Sequence, residues 1–541
     1  MKNCSFIILF ILFYLCTAEV LAAVKVLRNG FVPLAVYADG KQETRLEVEL
    51  DTGEKPPNSV YVITLTELLV DGALSNMVLL LDDGTYGDRI AGDHVYTHGG
   101  IRIPEDFLLK YPLKDRDRRV DTIQFLQNLN VPTAGSGTVE SIPFDSNSGP
   151  TLGVVDPNYR VAIYPVASDI RMSDRVVNLQ VDSSFSDSFL QPGLVLAENS
   201  LYNRALRRFY EVFRDDYDFI FILPQSSVPG AAADFTLIAN EARGVGLEVG
   251  INSAGQVGSA GRLQGVARVP LEPQGPFLQM MMRQWGVYLD PKFGFGEPIY
   301  AGSWGLSGVN GILGGFDPAT LRNNGNGTVD VDFFQPAGSG DSKPYSPLEL
   351  YLAGMLPPEF VSPVPVIRNG VIEARGRAFT IRIGSLETVT IDQIIAAHGP
   401  RIPAYLTAQK DFRAAFIALS THPFEESEFA YFHVIAEHMT QRDSSTEETF
   451  FQATQGEGTL DTMLGEFKDP ALAAIRVPQP TPTPMPGDIN ADGRLRLDDL
   501  VKLAQAWAEG GYRNRRMDLN GDGVTDRKDL LFLLESKSRL P

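Results

Sequence analysis

The chain has 541 residues, 44% hydrophobic and 21% charged, and its 67 acidic against 47 basic side chains leave a formal charge of −20. That length allows about three or four domains, and the hydrophobic share lets most of the chain bury a core instead of staying disordered. The acidity excludes a nucleic-acid partner, whose phosphates need a basic surface, and a polybasic membrane-surface mode.

At the N-terminus Lys2 precedes an apolar run from Phe6 to Cys16, and Leu21-Ala22-Ala23 offers a small-residue cleavage site. Residues 1–23 read as a secretory signal peptide, because the run is shorter than the ~20 residues of a spanning helix. No later segment is long enough to span, so a secreted or extracellular protein that does not cross a membrane is expected. Both cysteines, Cys4 and Cys16, fall inside that segment. The mature chain is therefore expected to lack disulfides, thiolate ligands and a cysteine nucleophile.

Residues 24–140 read as all-β. Arg45-Leu-Glu-Val-Glu-Leu50 and Ser59-Val-Tyr-Val-Ile-Thr-Leu65 alternate, with glycine and aspartate turns between them. The stretch Leu81 to Thr97 resembles a loop of bacterial immunoglobulin-like modules, which implies an Ig-like β-sandwich. Its Asp82, Asp83, Asp88 and Asp93 are candidate calcium ligands, although aspartates in such loops also cap tight turns through their own backbone. Residues 141–153, rich in serine, proline and glycine, read as a linker.

From 154 to 475 the pattern is mixed, and α/β or α+β is the expected class. Arg160–Tyr164 and Tyr217–Leu223 are apolar runs suited to buried strands. Between them Leu201, Tyr202, Leu206, Phe209, Tyr210 and Phe213 share a helical face. Phe277–Leu289 and Ser346–Met355 read as two more helices, and the apolar stretch Phe429–Met439, which carries His433 and His438, as a strand. Alternating proline and threonine over 476–486 mark a second linker. The tail beyond it, 487–541, carries ten acidic and ten basic residues, so the excess negative charge belongs to the body.

The tail holds the strongest motif. Asp488, Asn490, Asp492 and Asp499 stand at positions 1, 3, 5 and 12 of a twelve-residue loop, and Asp518, Asn520, Asp522 and Asp529 repeat the pattern. Position 7, Arg494 or Val524, offers a carbonyl, Asp526 adds a ligand at position 9 of the second loop, and Gly493 and Gly523 permit the sharp turn. Hard cations need six to eight oxygens, and alternate side chains of a tight loop converge to supply them, so two calcium ions are expected. Each loop runs into an apolar stretch, Leu500 to Trp507 or Leu530 to Leu534. The arrangement resembles the type I dockerin module, an all-α pair of calcium loop–helix units. That resemblance implies a cohesin domain on a scaffold or cell-surface protein as partner. It also assigns Leu497-Asp498 and Arg527-Lys528, at loop positions 10 and 11, to partner binding. The two pairs differ in charge, so one preferred docking face is expected.

In the body, Phe277–Gly286, Gly302-Ser303-Trp304-Gly305 and Ser346–Met355 follow one another in an order similar to that of secreted zincin-type metallopeptidases, whose helix carries His-Glu-x-x-His-x-Trp-Gly. Aligned on Trp285-Gly286, the resemblance puts the two zinc histidines at Gln279 and Arg283, the catalytic glutamate at Met280 and the third ligand near Ser303. Glutamine is a poor zinc ligand, arginine repels the cation and methionine accepts no proton, so this site is expected to be degenerate and zinc is not expected. No catalytic residue is assigned. The expected function is a secreted, calcium-binding modular protein that docks a non-catalytic metallopeptidase-like body, with a glycan or peptide as the body's ligand. The alternative is an active secreted hydrolase of polysaccharide or peptide, for which Glu349 and Asp341 are candidate carboxylates.

Overall fold

The computed structural model describes residues 24–52, 56–126, 128–132, 138–144, 149–182, 194–224, 233–269, 276–296, 303–332, 343–375 and 378–475, together with 527, 528 and 531. The N-terminal part is built from β1 (Lys25–Val32), β2 (Ala35–Tyr37), β3 (Thr44–Asp51), β4 (Ser59–Val70), β5 (Ala73–Leu81), β6 (Val95–Ile101), β7 (Val120–Gln124), β8 (Asn128–Pro132), β9 (Val139–Pro143) and β10 (Thr151–Val155). One antiparallel sheet has the order β1-β3-β6-β5-β4-β8-β9, and β2-β10-β7 form a second. Strand β3 shows why: Thr44, Leu46, Val48 and Leu50 point inward, while Arg45, Glu47 and Glu49 stay at the surface. The inward set meets Val36, Ile123, Leu152 and Val154 of the second sheet in one core. Strands β9 and β10 occupy both ends of the 141–153 stretch that the sequence presents as a linker.

The body centres on a sheet in the order β11-β12-β13-β25-β14-β18-β15, with β26 paired to β25. Its strands are β11 (Tyr164–Ala167), β12 (Ile170–Met172), β13 (Val176–Gln180), β14 (Phe219–Pro224), β15 (Asp234–Leu237) and β18 (Gly265–Arg268), then β25 (Asp411–Ser420) and β26 (Thr459–Asp461). Between these in sequence lie the short ladder β16 (Ala239–Asn240) and β17 (Ile251–Asn252), and the outlying strands β19 (Arg322–Asn323), β20 (Thr328–Val331), β21 (Val364–Arg368), β22 (Val371–Arg375), β23 (Phe379–Arg382) and β24 (Ser385–Val389). Strands β13, β25, β14 and β18 run parallel. Parallel strands are covered on both faces, and β25 is apolar along most of its length for that reason. Ala414, Phe416 and Ala418 enter one core, and Ala415, Ile417 and Leu419 enter another.

Seven helices are described: α1 (Phe107–Lys110), α2 (Leu201–Val212), α3 (Phe277–Met282), α4 (Pro347–Ala353), α5 (Ile391–His398), α6 (Glu426–His438) and α7 (Phe450–Ala453). Helix α2 starts on Ser200, whose side chain accepts from Asn203 N, and packs Tyr202, Leu206, Phe209 and Tyr210 onto one face of the sheet. Helix α3 stops at Met282, well before the Leu289 expected from its apolar pattern. Beyond it Val287 takes a left-handed φ of 77° that no helix accommodates.

The fold class expected from the sequence is corrected. Among the described residues strand accounts for 37% and helix for 19%, so this part of the chain is predominantly β where an Ig-like sandwich and an α/β zincin-like centre were expected, and nearly all of the expected all-α tail lies outside the described residues. The N-terminal sheets and the body also share one core: Leu34, Ala35, Tyr37, Val120 and Val155 cluster with Phe429, Tyr431 and Phe432 of α6. The Phe429–Met439 region is helical, not a strand. Helix α6 lies buried between the N-terminal sheets and the central one, which makes it apolar on nearly every side and erases the helical period from its sequence.

Helix α6 also joins the two parts through polar groups. Glu428 accepts from Leu34 N at 3.0 Å and from Glu425 N at 2.8 Å, and Ser427 Oγ donates to Ala35 O at 2.7 Å. At its other end Arg119 donates to Glu437 at 2.5 Å, and the buried Arg116 lies 2.9 Å from Glu447 and 3.1 Å from Asp115. The expected signal peptide, the 476–486 linker and nearly all of the expected dockerin lie outside the described residues. Among the described residues no helix is long and apolar enough to cross a membrane.

Candidate functional site

Three parallel strands of the body begin side by side, and a cleft of about 660 Å³ opens outside their amino ends. Asp218 precedes β14, Gln264 precedes β18 and Gln409 lies just before β25. Asp218 is saturated: it accepts from Arg413 N at 2.8 Å, Gln409 Nε2 at 2.9 Å, Gln264 Nε2 at 3.2 Å and Arg262 Nη2 at 3.2 Å. A carboxylate with four donors holds strand ends together, its acceptor positions already served.

Two other groups in the wall are less well served. Gln284, 1% exposed, donates from Nε2 to Ala239 O at 2.8 Å, but its buried Oε1 has no hydrogen-bond partner among the described residues. Arg401, also buried, donates to the carbonyls of Leu352 at 3.0 Å, Ala353 at 3.1 Å and Pro403. The Leu352 and Ala353 carbonyls end helix α4, and Gly354, at φ 80°, leaves the space that the guanidinium fills. Burial pulls the Arg401 guanidinium down to about 10, with the Tyr351 phenol as the charge that offsets it. Among the described residues three of its five N–H groups are engaged. Trp285 and Phe412 supply an aromatic wall, with ring centroids 5.6 Å apart.

The four positions read as a former zinc site are used for packing. Gln279 Nε2 donates to Ile312 O at 3.4 Å and Ser303 N to Leu313 O at 3.1 Å, so both lean on one loop. Met280 is buried in the core. Arg283 caps α3, and burial lowers its pKa while Tyr288 and Asp234 work the other way. The 312–313 loop is itself held by Glu349, which has no exposed surface and accepts from Trp304 Nε1 at 2.8 Å, Ile312 N at 3.0 Å, Leu313 N at 2.9 Å and Ser346 N at 2.8 Å. Burial raises the pKa of this carboxyl against those four donors. Asp341 lies outside the described residues. His433 and His438 leave α6 toward different neighbours, Ser173 at 3.0 Å and Asp117 at 3.8 Å, so they do not form a ligand pair.

In the β5–β6 loop, Asp82, Asp88 and Asp93 bring carboxylate oxygens within 4.8 Å of one another, a donor set that suits calcium. Backbone donors already serve these groups: Asp82 accepts from Gly92 N at 2.6 Å and His94 N at 3.0 Å, Asp88 from Gly84 N at 2.6 Å, and Asp93 from Val95 N at 3.0 Å. Asp83 stands apart from the three and accepts from Thr85 N at 2.9 Å. Arg527 and Lys528, expected to meet a partner, are helical and exposed. The calcium positions Asp488, Asn490, Asp492, Arg494, Asp499, Asp518, Asn520, Asp522, Val524, Asp526 and Asp529, and the pair Leu497-Asp498, lie outside the described residues.

Sequence reasoning missed the cleft. Asp218, Gln264, Gln284 and Arg401 come from four distant segments and share no spacing. Strand pairing brings Asp218 and Gln264 together, whereas Gln284 arrives beyond α3 and Arg401 beyond α5, and the one local signal was a polar residue directly preceding β14 and β18. No protein-family model, curated protein or solved structure matches the chain.

Proposed function

We propose that this chain is an exported docking protein: two calcium-organised loops in its tail fasten it to a cohesin-type partner, and its body binds a ligand without cleaving it. The observation that carries this reading is the duplicated loop, with oxygen side chains at positions 1, 3, 5 and 12 and glycine at 6, beginning at both Asp488 and Asp518. The donor set suits a hard cation, and binding would supply the folding free energy that so short a segment otherwise lacks. Exposed, helical Arg527 and Lys528 favour a partner contact at positions 10 and 11 of the second loop. Packing of Gln279, Met280 and Ser303, and the saturated carboxylates of Glu349 and Asp218, favour a body that binds rather than hydrolyses.

The test is binding of the full chain to a panel of type I cohesin domains, in calcium and in excess chelator. Binding that requires calcium and falls about tenfold or more when Arg527 and Lys528 are both changed to Ala is expected, the scale of losing two central interface contacts. Binding that stays nearly intact after either pair alone is changed, and is lost only when Leu497, Asp498, Arg527 and Lys528 are changed together, would show two equivalent faces instead of one. Chelator-resistant binding would contradict the reading. Turnover of a glycan or peptide by the purified chain would establish a secreted hydrolase in its place.

A further inference from the structure

We propose that the cleft outside the amino ends of β14, β18 and β25 binds a short oligosaccharide carrying a single carboxylate, with Arg401 receiving the carboxylate and the Gln284 carboxamide oxygen accepting from a sugar hydroxyl. The inference rests on the reading of the body as a binding module and names what it binds.

The wall dictates the ligand's groups. A buried carbonyl oxygen without a donor loses its hydration and gains nothing in return, so a ligand hydroxyl reaching Gln284 Oε1 recovers that loss. Gln284 is fixed for this role, because its Nε2 is committed to Ala239 O and orients the oxygen. Arg401 is a buried cation whose fixed partners are three carbonyls. Its remaining N–H groups suit a planar carboxylate, and the attraction is strengthened where water is scarce. Trp285 and Phe412, 4% and 2% exposed, back the cleft with apolar atoms and leave only a small patch for a ligand's C–H groups.

Size and charge narrow the class. A cleft of about 660 Å³ lies in the range that holds a small organic ligand. The net charge of −20 repels a long polyanion, so one acidic unit is favoured over many. A peptide strand would add to an open sheet edge through main-chain hydrogen bonds, whereas this cleft lies across strand ends and offers side-chain amides and a guanidinium.

The experiment uses the full chain in calcium and isothermal titration with four probes: an aldobiouronic acid (one uronate joined to one neutral sugar), its methyl ester, the corresponding neutral disaccharide, and an N-acetylated tripeptide with a free carboxylate. The acid is expected to bind and to quench tryptophan fluorescence, with the ester and the neutral sugar weaker by about tenfold or more, the scale of one charge-assisted hydrogen bond. Gln284→Leu is expected to weaken the acid about tenfold. Thr407→Trp, at an exposed rim position of the cleft, blocks entry without disturbing the core and serves if Gln284→Leu fails to fold. Equal binding of acid and neutral sugar, tighter binding of the tripeptide, absence of binding, or indifference to Thr407→Trp each overturns the proposal. Cleavage of the bound acid would support the ligand class and overturn the non-catalytic reading, and calcium-dependent docking is unaffected by any of these results.

Discussion

Glu349 shows how one side chain can organise a region without reacting. Its carboxylate closes a capping box with Ser346 at the start of α4 and ties down Trp304, Ile312 and Leu313. A Cβ at Gly311 would collide with it, so the loop's backbone is shaped to the carboxylate. Glu349→Ala leaves four buried donors unpaired and is expected to cost about 3–5 kcal/mol in denaturant unfolding, at the upper end for point changes. His433 offers a second test at this scale. Burial first, and Arg175 beside it, push its imidazole down to about 4. A depressed folded pKa contributes stability above the unfolded value near 6.5, and that stability is lost as pH falls toward 4. The loss is on the order of 3 kcal/mol, and His433→Asn is expected to remove that part of the acid dependence. The sequence presented Glu349 as a candidate carboxylate of the alternative hydrolase, since a lone carboxylate in sequence carries no sign of how many donors will surround it.

Among the elements, α6 carries the contact between the two parts of the molecule. Gly153 on β10 lies so close that an added Cβ would stand 2.9 Å from both the Tyr431 ring and the Ala35 side chain. Gly153→Val is therefore expected to overpack this contact and destabilise the chain by about 2–3 kcal/mol, read as a lower denaturation midpoint. Elements with one wet face were legible in the sequence: the alternation of Arg45–Leu50 falls in β3, and the amphipathic run after Asn199 is α2. Elements dry on all sides were not. In α6 the period of 3.6 vanishes because nearly every position is buried, and β-prone residues then dominate the pattern. The cleft stayed hidden for a related reason, since its walls are assembled by parallel pairing of segments far apart in sequence.

At the scale of the whole molecule, the shared core predicts that the N-terminal sheets and the body unfold together. Calorimetry of the full chain should show one transition for residues 24–475, apart from whatever the proposed calcium loops add, and two resolved transitions for that region would contradict the shared core. The junction also predicts a pH response. Burial pushes the Asp115 carboxyl up to about 7, with Arg116 opposing and Glu447 close by. A raised folded pKa contributes stability at low pH that is lost as pH rises from about 4 through 7, opposite in sign to the His433 effect. Asp115→Asn is expected to unmask a steeper loss of stability on acidification, measured by unfolding between pH 4 and 8.

Central to the account is cation binding by the tail, which calcium titration of the metal-free full chain by calorimetry tests most directly. The account predicts two tight equivalents that vanish when Asp488 and Asp518 are both changed to Ala, whatever the Asp82–Asp93 loop adds at higher calcium. A chain that takes up no calcium, or takes it up unchanged after both substitutions, would contradict it.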